Sequence, residues 1–277
     1  MNKRTSRILM RTYVILIFCF LYLPIAVMIA FSFNESKSRA VFTGFTLDWY
    51  KSLFHNEMIL SSLALSLVLA LVSSVVATVL GTLATIGINS MSRKSQLIIN
   101  NISYVPVVNP EIITGVSLML LFVMAQTFGI GGEGGLFGWP TLLIAHITFN
   151  LPYVILNVMP KLKQMDASLT DAAMDLGCTP WQAFFRVTLH EIMPGVVSGA
   201  IMAFTMSLDD FVISYFVTGL DFVTLPVEIY SYTKKPIQPK IYAMFTLLFL
   251  LIFVLMTAMN LMQVVADRKK IADRKGH

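Results

Sequence analysis

Charge is scarce in this chain. Of its 277 residues only 13% are Asp, Glu, Lys or Arg, while 56% are hydrophobic and the mean hydropathy is +0.76. Cysteine is scarcer still. Cys19 falls in an apolar run and Cys178 in a polar segment, so a disulfide-stapled secreted domain is excluded and each thiol reads as a small structural residue. No nucleophile–base pair and no metal-ligand set with useful spacing occurs, which argues against an enzyme and leaves the metal-site expectation empty. The glycine-rich stretch from Gly129 to Gly135 is closed by neither Lys-Ser nor Lys-Thr. It is therefore not a phosphate loop, and the chain is expected to hydrolyse no ATP of its own. Internal repeats of the kind common in ion-driven carriers are also missing.

What is present is long charge-free runs, and these place the chain in a bilayer. Thr12 to Phe33 gives 22 uncharged residues after the basic tail Lys3, Arg4, Arg7 and Arg11. It is too long for a signal-peptide core and no Ala-x-Ala site follows, so it reads as a retained first span. Met58 to Ile88 gives 31 uncharged residues, or about 46 Å of helix, longer than a bilayer core needs. Within it Ser62, Ser66, Ala70, Ser74, Thr78 and Thr82 recur every four residues, a small-residue seam suited to close helix packing. Further runs cover Ser103 to Phe128, Leu136 to Pro160, Gly195 to Val217 and Ile241 to Ala266. The expected fold is all-α: a polytopic membrane protein with six transmembrane helices, in a single transmembrane domain over 1–277. Trp49 and Tyr50, in the polar loop after the first run, are plausible interfacial anchors.

Orientation follows from the basic residues. The two tails and the loops around Arg93 and around Lys161, Lys163 and Arg186 hold 14 of the 20 Lys and Arg, against 6 in the opposite loops. By the positive-inside rule both termini and the segment 166–194 are cytoplasmic. The same distribution accounts for the net charge of +5 as membrane orientation, and no nucleic-acid partner is expected.

Within the runs there is no Lys or Arg, yet Glu111, Asp209 and Asp210 are there. A charge at a helix centre costs on the order of 3 kcal/mol, and such residues face a bundle interior or a water-filled path. Glu111 has two readings: a first-turn acid after an Asn109 cap and Pro110, or a substrate contact. On a continuous helix Asp209 and Asp210 would point about 100° apart, one to a path and one to a partner. With no basic neutraliser in the spans, they favour a cationic cargo over a purely structural or gating role. His146, with Asn150 and Pro152 after it, reads as a relay or ligand, or as a packed, hydrogen-bonded side chain; its neighbours in sequence favour the second.

The longest polar segment is DASLTDAAMDLGCTPWQAFFRVTLHEIMP, from Asp166 to Pro194. It reads as two short helices broken between Gly177 and Pro180. Gly177 supplies a left-handed end to the first, Thr179 caps the second and Pro180 opens it. Trp181, Phe184, Phe185 and Leu189 form an apolar stripe on that second helix. Asp171, Ala172, Ala173, Gly177 and Leu189 resemble the EAA loop of ABC-importer permeases, with Asp171 for the usual Glu, Val187 for Ile and His190 where Pro is usual.

Further stretches extend the resemblance over nearly the whole length. Among them are Leu21 to Ile25, Phe31 to Asn34, Gly44 to Tyr50, Asn109 to Gly115, Ala145 to Phe149, Phe204 to Asp210 and Phe216 to Gly219. Together they are similar to the spermidine/putrescine-type permeases, specifically the second membrane subunit. The resemblance implies a type I, MetI-like permease fold in a bacterial plasma membrane. It also implies a heterodimer with a sister permease, a cytoplasmic ATPase dimer docked on the loop 166–194, and an extracytoplasmic polyamine-binding protein. ATP would be bound by the partner ATPase, and no cofactor is expected in this chain. It implies Asp209, Asp210 and Glu111 along the substrate path, and Asp171, Ala172, Ala173, Gly177 and Leu189 in ATPase coupling. The alternatives are an ABC permease for another cationic or small solute and an ion-driven secondary cation transporter.

Overall fold

The computed structural model describes residues 3–36, 41–129, 136–166, 168–219, 221–234 and 239–275. Helices dominate: α1 (Lys3–Phe31), α2 (Asp48–Phe54), α3 (Glu57–Asn89), α4 (Arg93–Val108), α5 (Glu111–Thr127), α6 (Trp139–Gln164), α7 (Ser168–Asp175), α8 (Pro180–Ala183), α9 (Leu189–Asp209), α10 (Val212–Val217), α11 (Leu225–Thr233) and α12 (Pro239–Lys275). Among the described residues the extended pairing is one isolated antiparallel bridge, Asn34 with Phe45. Five helical stretches are long and apolar enough to cross a membrane, or six when α4 and α5 count as one bent span. Of the expected glycine-rich turn only Gly129 is described; 130–135 lie outside the described residues.

Backbone packing divides the chain into two units, Met1–Leu60 with Ile229–Leu255 and Ser61–Glu228 with Met256–His277. In the first, Asn34 organises the segment after α1. Its amide donates to Val41 O at 2.9 Å and its Oδ1 accepts the Thr43 N–H at 3.0 Å. The Trp49 indole N–H donates to Asn34 O at 2.9 Å, and Tyr50 shares a 2.6 Å hydrogen bond with Ser32 Oγ. The polar loop expected between the first two runs is thus a folded cap with its own helix, α2.

In the second unit α6 and α9 pack most closely. A Cβ at Gly195 would meet Asn157 O at 2.8 Å, and one at Gly199 would meet Val154 Cα at 3.3 Å. Small residues allow this approach where lipid supplies no hydrophobic drive between helices. Ala77 of α3 joins Val154, Val158, Ile192 and Ala203 in the same core. The expected seam is on the inside: Ser62, Ser66, Ala70, Ser74 and Thr82 are all buried.

Two expected spans are corrected. The third run is not one straight helix. It bends by 101° between α4 and α5. Asn109 is extended, φ −72° and ψ 136°, because the ring of the following proline disfavours helical backbone at that position. Asn109 closes α4, its N–H donating to Val105 O at 3.0 Å, and does not cap α5; Glu111 does open α5, as its first helical residue. The fifth run is also interrupted. It begins earlier than Gly195, as a continuous helical stretch from Pro180 to Asp209, and stops at Asp210, whose backbone is extended at φ −62° and ψ 119°. Asp209 and Asp210 are therefore not neighbours on one helix, and the angle expected from helix geometry does not apply.

Candidate functional site

The bend and the break bring the three membrane carboxylates together. Glu111 opens α5, Asp209 ends α9 and Asp210 forms the break, and their charges lie close enough to interact with one another. Tyr153 of α6 is also within electrostatic reach of Glu111. His146 and Tyr153 lie about 10 and 21 Å along α6, so the cluster is at mid-helix depth. One turn further along α5, packing on α10 is close: at Gly115 a Cβ would meet the Phe216 ring at 2.9 Å.

The two aspartates differ in environment. Asp209 is exposed, while Asp210 is 7% exposed. Asp210 Oδ1 accepts the Ile213 N–H at 3.1 Å and Oδ2 the Ser214 N–H at 2.7 Å. These are first-turn donors of α10, so Asp210 caps the helix that restarts after the break. His146, 1% exposed, stands beside it. Its Nε2 is 3.6 Å from Asp210 Oδ2 and 3.0 Å from Ser214 Oγ, and its Nδ1 is 2.6 Å from Ser207 Oγ. Ser207 Oγ in turn lies 3.0 Å from Ser73 Oγ on α3. Sequence neighbours offered His146 no carboxylate; the fold supplies one. Ser73, Ser207 and Ser214 were not singled out from sequence, and serine spacing in an apolar helix carries no signal that would have done so.

The segment 166–194 forms an elbow. Asp166 Oδ1 accepts the Ser168 N–H at 3.0 Å ahead of α7, and its hydrogen bonds with Ser168 hold the carboxyl below the usual carboxylate range. Gly177, at φ +91°, ends α7. Its N–H donates to Met174 O at 2.9 Å and the Cys178 N–H to Ala173 O at 3.1 Å, the paired bonds of a Schellman cap. Thr179 Oγ1 then accepts the Gln182 N–H at 3.3 Å while Gln182 Oε1 accepts the Thr179 N–H at 3.0 Å, a full capping box.

The second helix is not a separate short one. Phe184–Thr188 forms a π turn, with the Leu189 N–H donating to Phe184 O, and the chain runs on through His190 into α9. Asp171 and Ala172 are exposed, Ala173 is buried, and Leu189 packs against the α6–α9 core. Thr170 and Thr188 hydroxyls meet at 3.3 Å, tying α7 to the π turn. The elbow presents large apolar side chains outward: Leu176 is 88% exposed and Trp181 73%, with Trp181 stacked on Phe185. An open apolar recess of about 300 Å³ lies between Leu83 and Ile86 of α3 and Pro180, Trp181 and Phe184, with no titratable lining residue.

Comparison with known proteins adds an independent line. The sequence profile of the family described as "Binding-protein-dependent transport system inner membrane component" matches residues 77–271. The putrescine transport system permease protein PotI of Escherichia coli (strain K12) is 37% identical over 235 residues, 83% of this chain and 82% of its own length. The spermidine/putrescine transport system permease protein PotC of the same organism is 33% identical over 265 residues, 96% of this chain and 97% of its own. Among solved structures, a chain of a bacterial ABC transporter involved in the import of the acidic polysaccharide alginate superposes with a TM-score of 0.71 at 17% identity, covering 94% of this chain and 96% of that one. A chain of an amino acid ABC transporter with histidines superposes at 0.53 and 16% identity, covering 81% and 100%.

Proposed function

Because this chain belongs to the family of binding-protein-dependent transport system inner membrane components, we propose that it is a permease subunit of an ATP-driven importer of polyamines, of the putrescine and spermidine class. It forms the translocation path with a sister permease, receives cargo from an extracytoplasmic binding protein, and is driven by a cytoplasmic ATPase dimer that binds the ATP. Both termini and the elbow 166–194 lie on the cytoplasmic side, in keeping with the basic residues of the tails and inner loops.

The observation that carries the cargo class is the acidic cluster. The fold alone does not select a cargo, since a structural neighbour belongs to an importer of an acidic polysaccharide. Here Glu111 and Asp209 are exposed within the membrane-spanning unit, and among the described residues neither has a basic ion-pair partner. An elongated dication or trication supplies the missing positive charge while it passes. Asp210, with both oxygens engaged by backbone N–H groups, acts on the cargo through its charge and not by contact.

The elbow is the coupling part. Asp171 and Ala172 face outward on α7, Gly177 sets the angle to the next helix, and Leu189 anchors that helix in the α6–α9 core. Movement of the ATPases against the exposed Leu176, Trp181 and Phe185 is carried into α9 without an intervening joint, because Pro180 to Asp209 is one helical stretch. ATP binding draws the elbow to the outward-open path and hydrolysis resets it.

The test is uptake of radiolabelled putrescine by membrane vesicles holding the complete complex. Uptake requires ATP, and Asp209→Asn raises the apparent KM about tenfold, the size of one lost charged contact, with the level of assembled complex unchanged. Full uptake by Asp209→Asn, or uptake driven by an ion gradient with no ATPase present, refutes the reading; the latter outcome points to a secondary transporter.

A further inference from the structure

We propose that the folded cap after α1 carries a lipid-binding edge: Phe42, Phe45, Leu47 and Phe54 enter the bilayer interface beside the end of α1 and hold α2 flat on the membrane surface.

Depth is set by the span. The charge-free run Thr12 to Phe33 has 22 residues, about 33 Å of helix against a hydrocarbon core of about 30 Å. Its last aromatic residues, Phe31 and Phe33, mark the level where the chain leaves that core. The cap folds back onto the same level. The Phe42 ring meets Phe31 edge-on at 6.4 Å, and the Phe45 ring stacks on Phe33 at 5.1 Å. Phe42 and Phe45 stay exposed all the same, so they continue the exposed apolar surface of α1 past its end.

The helix α2 divides into three arcs at about 100° per residue. Trp49, Tyr50 and Leu53 share the inner arc. Leu53 is buried, the Trp49 indole N–H is spent on Asn34 O, and the Tyr50 hydroxyl is spent on Ser32. Asp48, Lys51 and Ser52 share an exposed polar arc, with Lys51 Nζ 3.5 Å from Asp48 Oδ1. Between the two arcs Leu47 and Phe54, about two turns apart, fall on one side, and both are exposed. A charged arc beside an exposed apolar line is the pattern of a helix lying in the interface plane.

The anchors are therefore not Trp49 and Tyr50, the residues the sequence suggested, since their polar ends are engaged inside the cap. They are the apolar side chains beside them. What these present outward is hydrocarbon, at the level where acyl chains meet headgroups and in continuity with a membrane-spanning helix. The medium that covers such an edge at that depth is lipid.

The experiment places a spin label at Phe42→Cys, Leu47→Cys, Phe54→Cys or Lys51→Cys, in a chain carrying Cys19→Ser and Cys178→Ser. Each chain is assembled with cysteine-free partner subunits in vesicles of phosphatidylethanolamine and phosphatidylglycerol, and the assembled complex is quantified. Collision rates are measured with oxygen, which concentrates among acyl chains, and with a water-soluble nickel chelate. Labels at 42, 47 and 54 meet oxygen several-fold more often than nickel, and the label at 51 shows the reverse. Leu47→Cys removes no aromatic ring, so it keeps the readout where a phenylalanine substitution lowers complex level. The proposal is overturned if nickel predominates at 47 and 54, which puts the edge in water. It is equally overturned if both reagents are shut out, or if adding the binding protein shuts oxygen out, since a protein then covers the edge.

Discussion

At the scale of single residues, the two adjacent aspartates show how little identity says without environment. Asp209 is exposed at a helix end, and Asp210 is buried with each carboxylate oxygen accepting a backbone N–H. Asn conserves shape at both positions, but the consequences diverge. Asp209→Asn removes charge from the proposed cargo path and leaves packing intact. Asp210→Asn replaces one acceptor by an N–H₂ group that must face a backbone donor, leaving that donor unsatisfied in a buried place. The expected cost is about 1–3 kcal/mol, read as a lower melting temperature of the purified complex for Asp210→Asn and none for Asp209→Asn. Equal melting temperatures would mean the cap at α10 carries no stability. His146 belongs to the same pattern: an imidazole in an apolar helix gains its meaning from Ser207, Ser214 and Asp210, which are far from it in sequence.

At the scale of elements, the elbow depends on Gly177. At φ +91° it adopts a conformation that L side chains resist, yet nothing lies within 4 Å of where its Cβ would be. The penalty for substitution is therefore in the backbone and not in crowding. Gly177→Ala is expected to cost about 1–2 kcal/mol of local stability and to lower the coupling of ATP hydrolysis to uptake. Gly177→Asn, which tolerates the left-handed region, is expected to retain most of that coupling. Hydrolysis and uptake measured together in the same vesicles decide the point; identical behaviour of the two variants would rule out backbone strain as the cause. The π turn Phe184–Thr188 has a related role. It widens the helix by one residue and lets the exposed Trp181–Phe185 face and the buried Thr188–Ile192 face belong to a single continuous helix.

At the scale of the whole molecule, the cytoplasmic position proposed for the elbow rests on the charge balance of the loops. Cys178 is half-exposed at the centre of the elbow, and Cys19 lies on the lipid-length helix α1. A Cys19→Ser chain keeps Cys178 as its one thiol. A membrane-impermeant maleimide is expected to label it in inverted vesicles and not in right-side-out ones, and the reverse pattern would turn the assigned topology over. Addition of the ATPase partner is expected to protect Cys178, since the proposed docking surface includes the adjacent Leu176.

The sequence by itself determined the apolar runs, the turn of the elbow at Gly177 and the cap at Thr179. A bilayer requires about 20 apolar residues per helix, so charge-free runs mark spans directly, and the Schellman cap at Gly177 and the capping box at Thr179–Gln182 are local chemistry, complete within a few residues. The bend at Asn109–Pro110 was also written locally, in the restriction proline places on its predecessor, although it was read as a cap within one span. Only the tertiary structure decided that α9 stops at Asp209, because no glycine or proline marks that place. The stop is made by Asp210 turning back onto α10 and by His146 from another helix. The convergence of Glu111 with the two aspartates was likewise invisible in sequence: it follows from how α5 packs on α10 and α9 on α6, and packing in lipid is governed by close contact of small surfaces whose partners the chain order does not name.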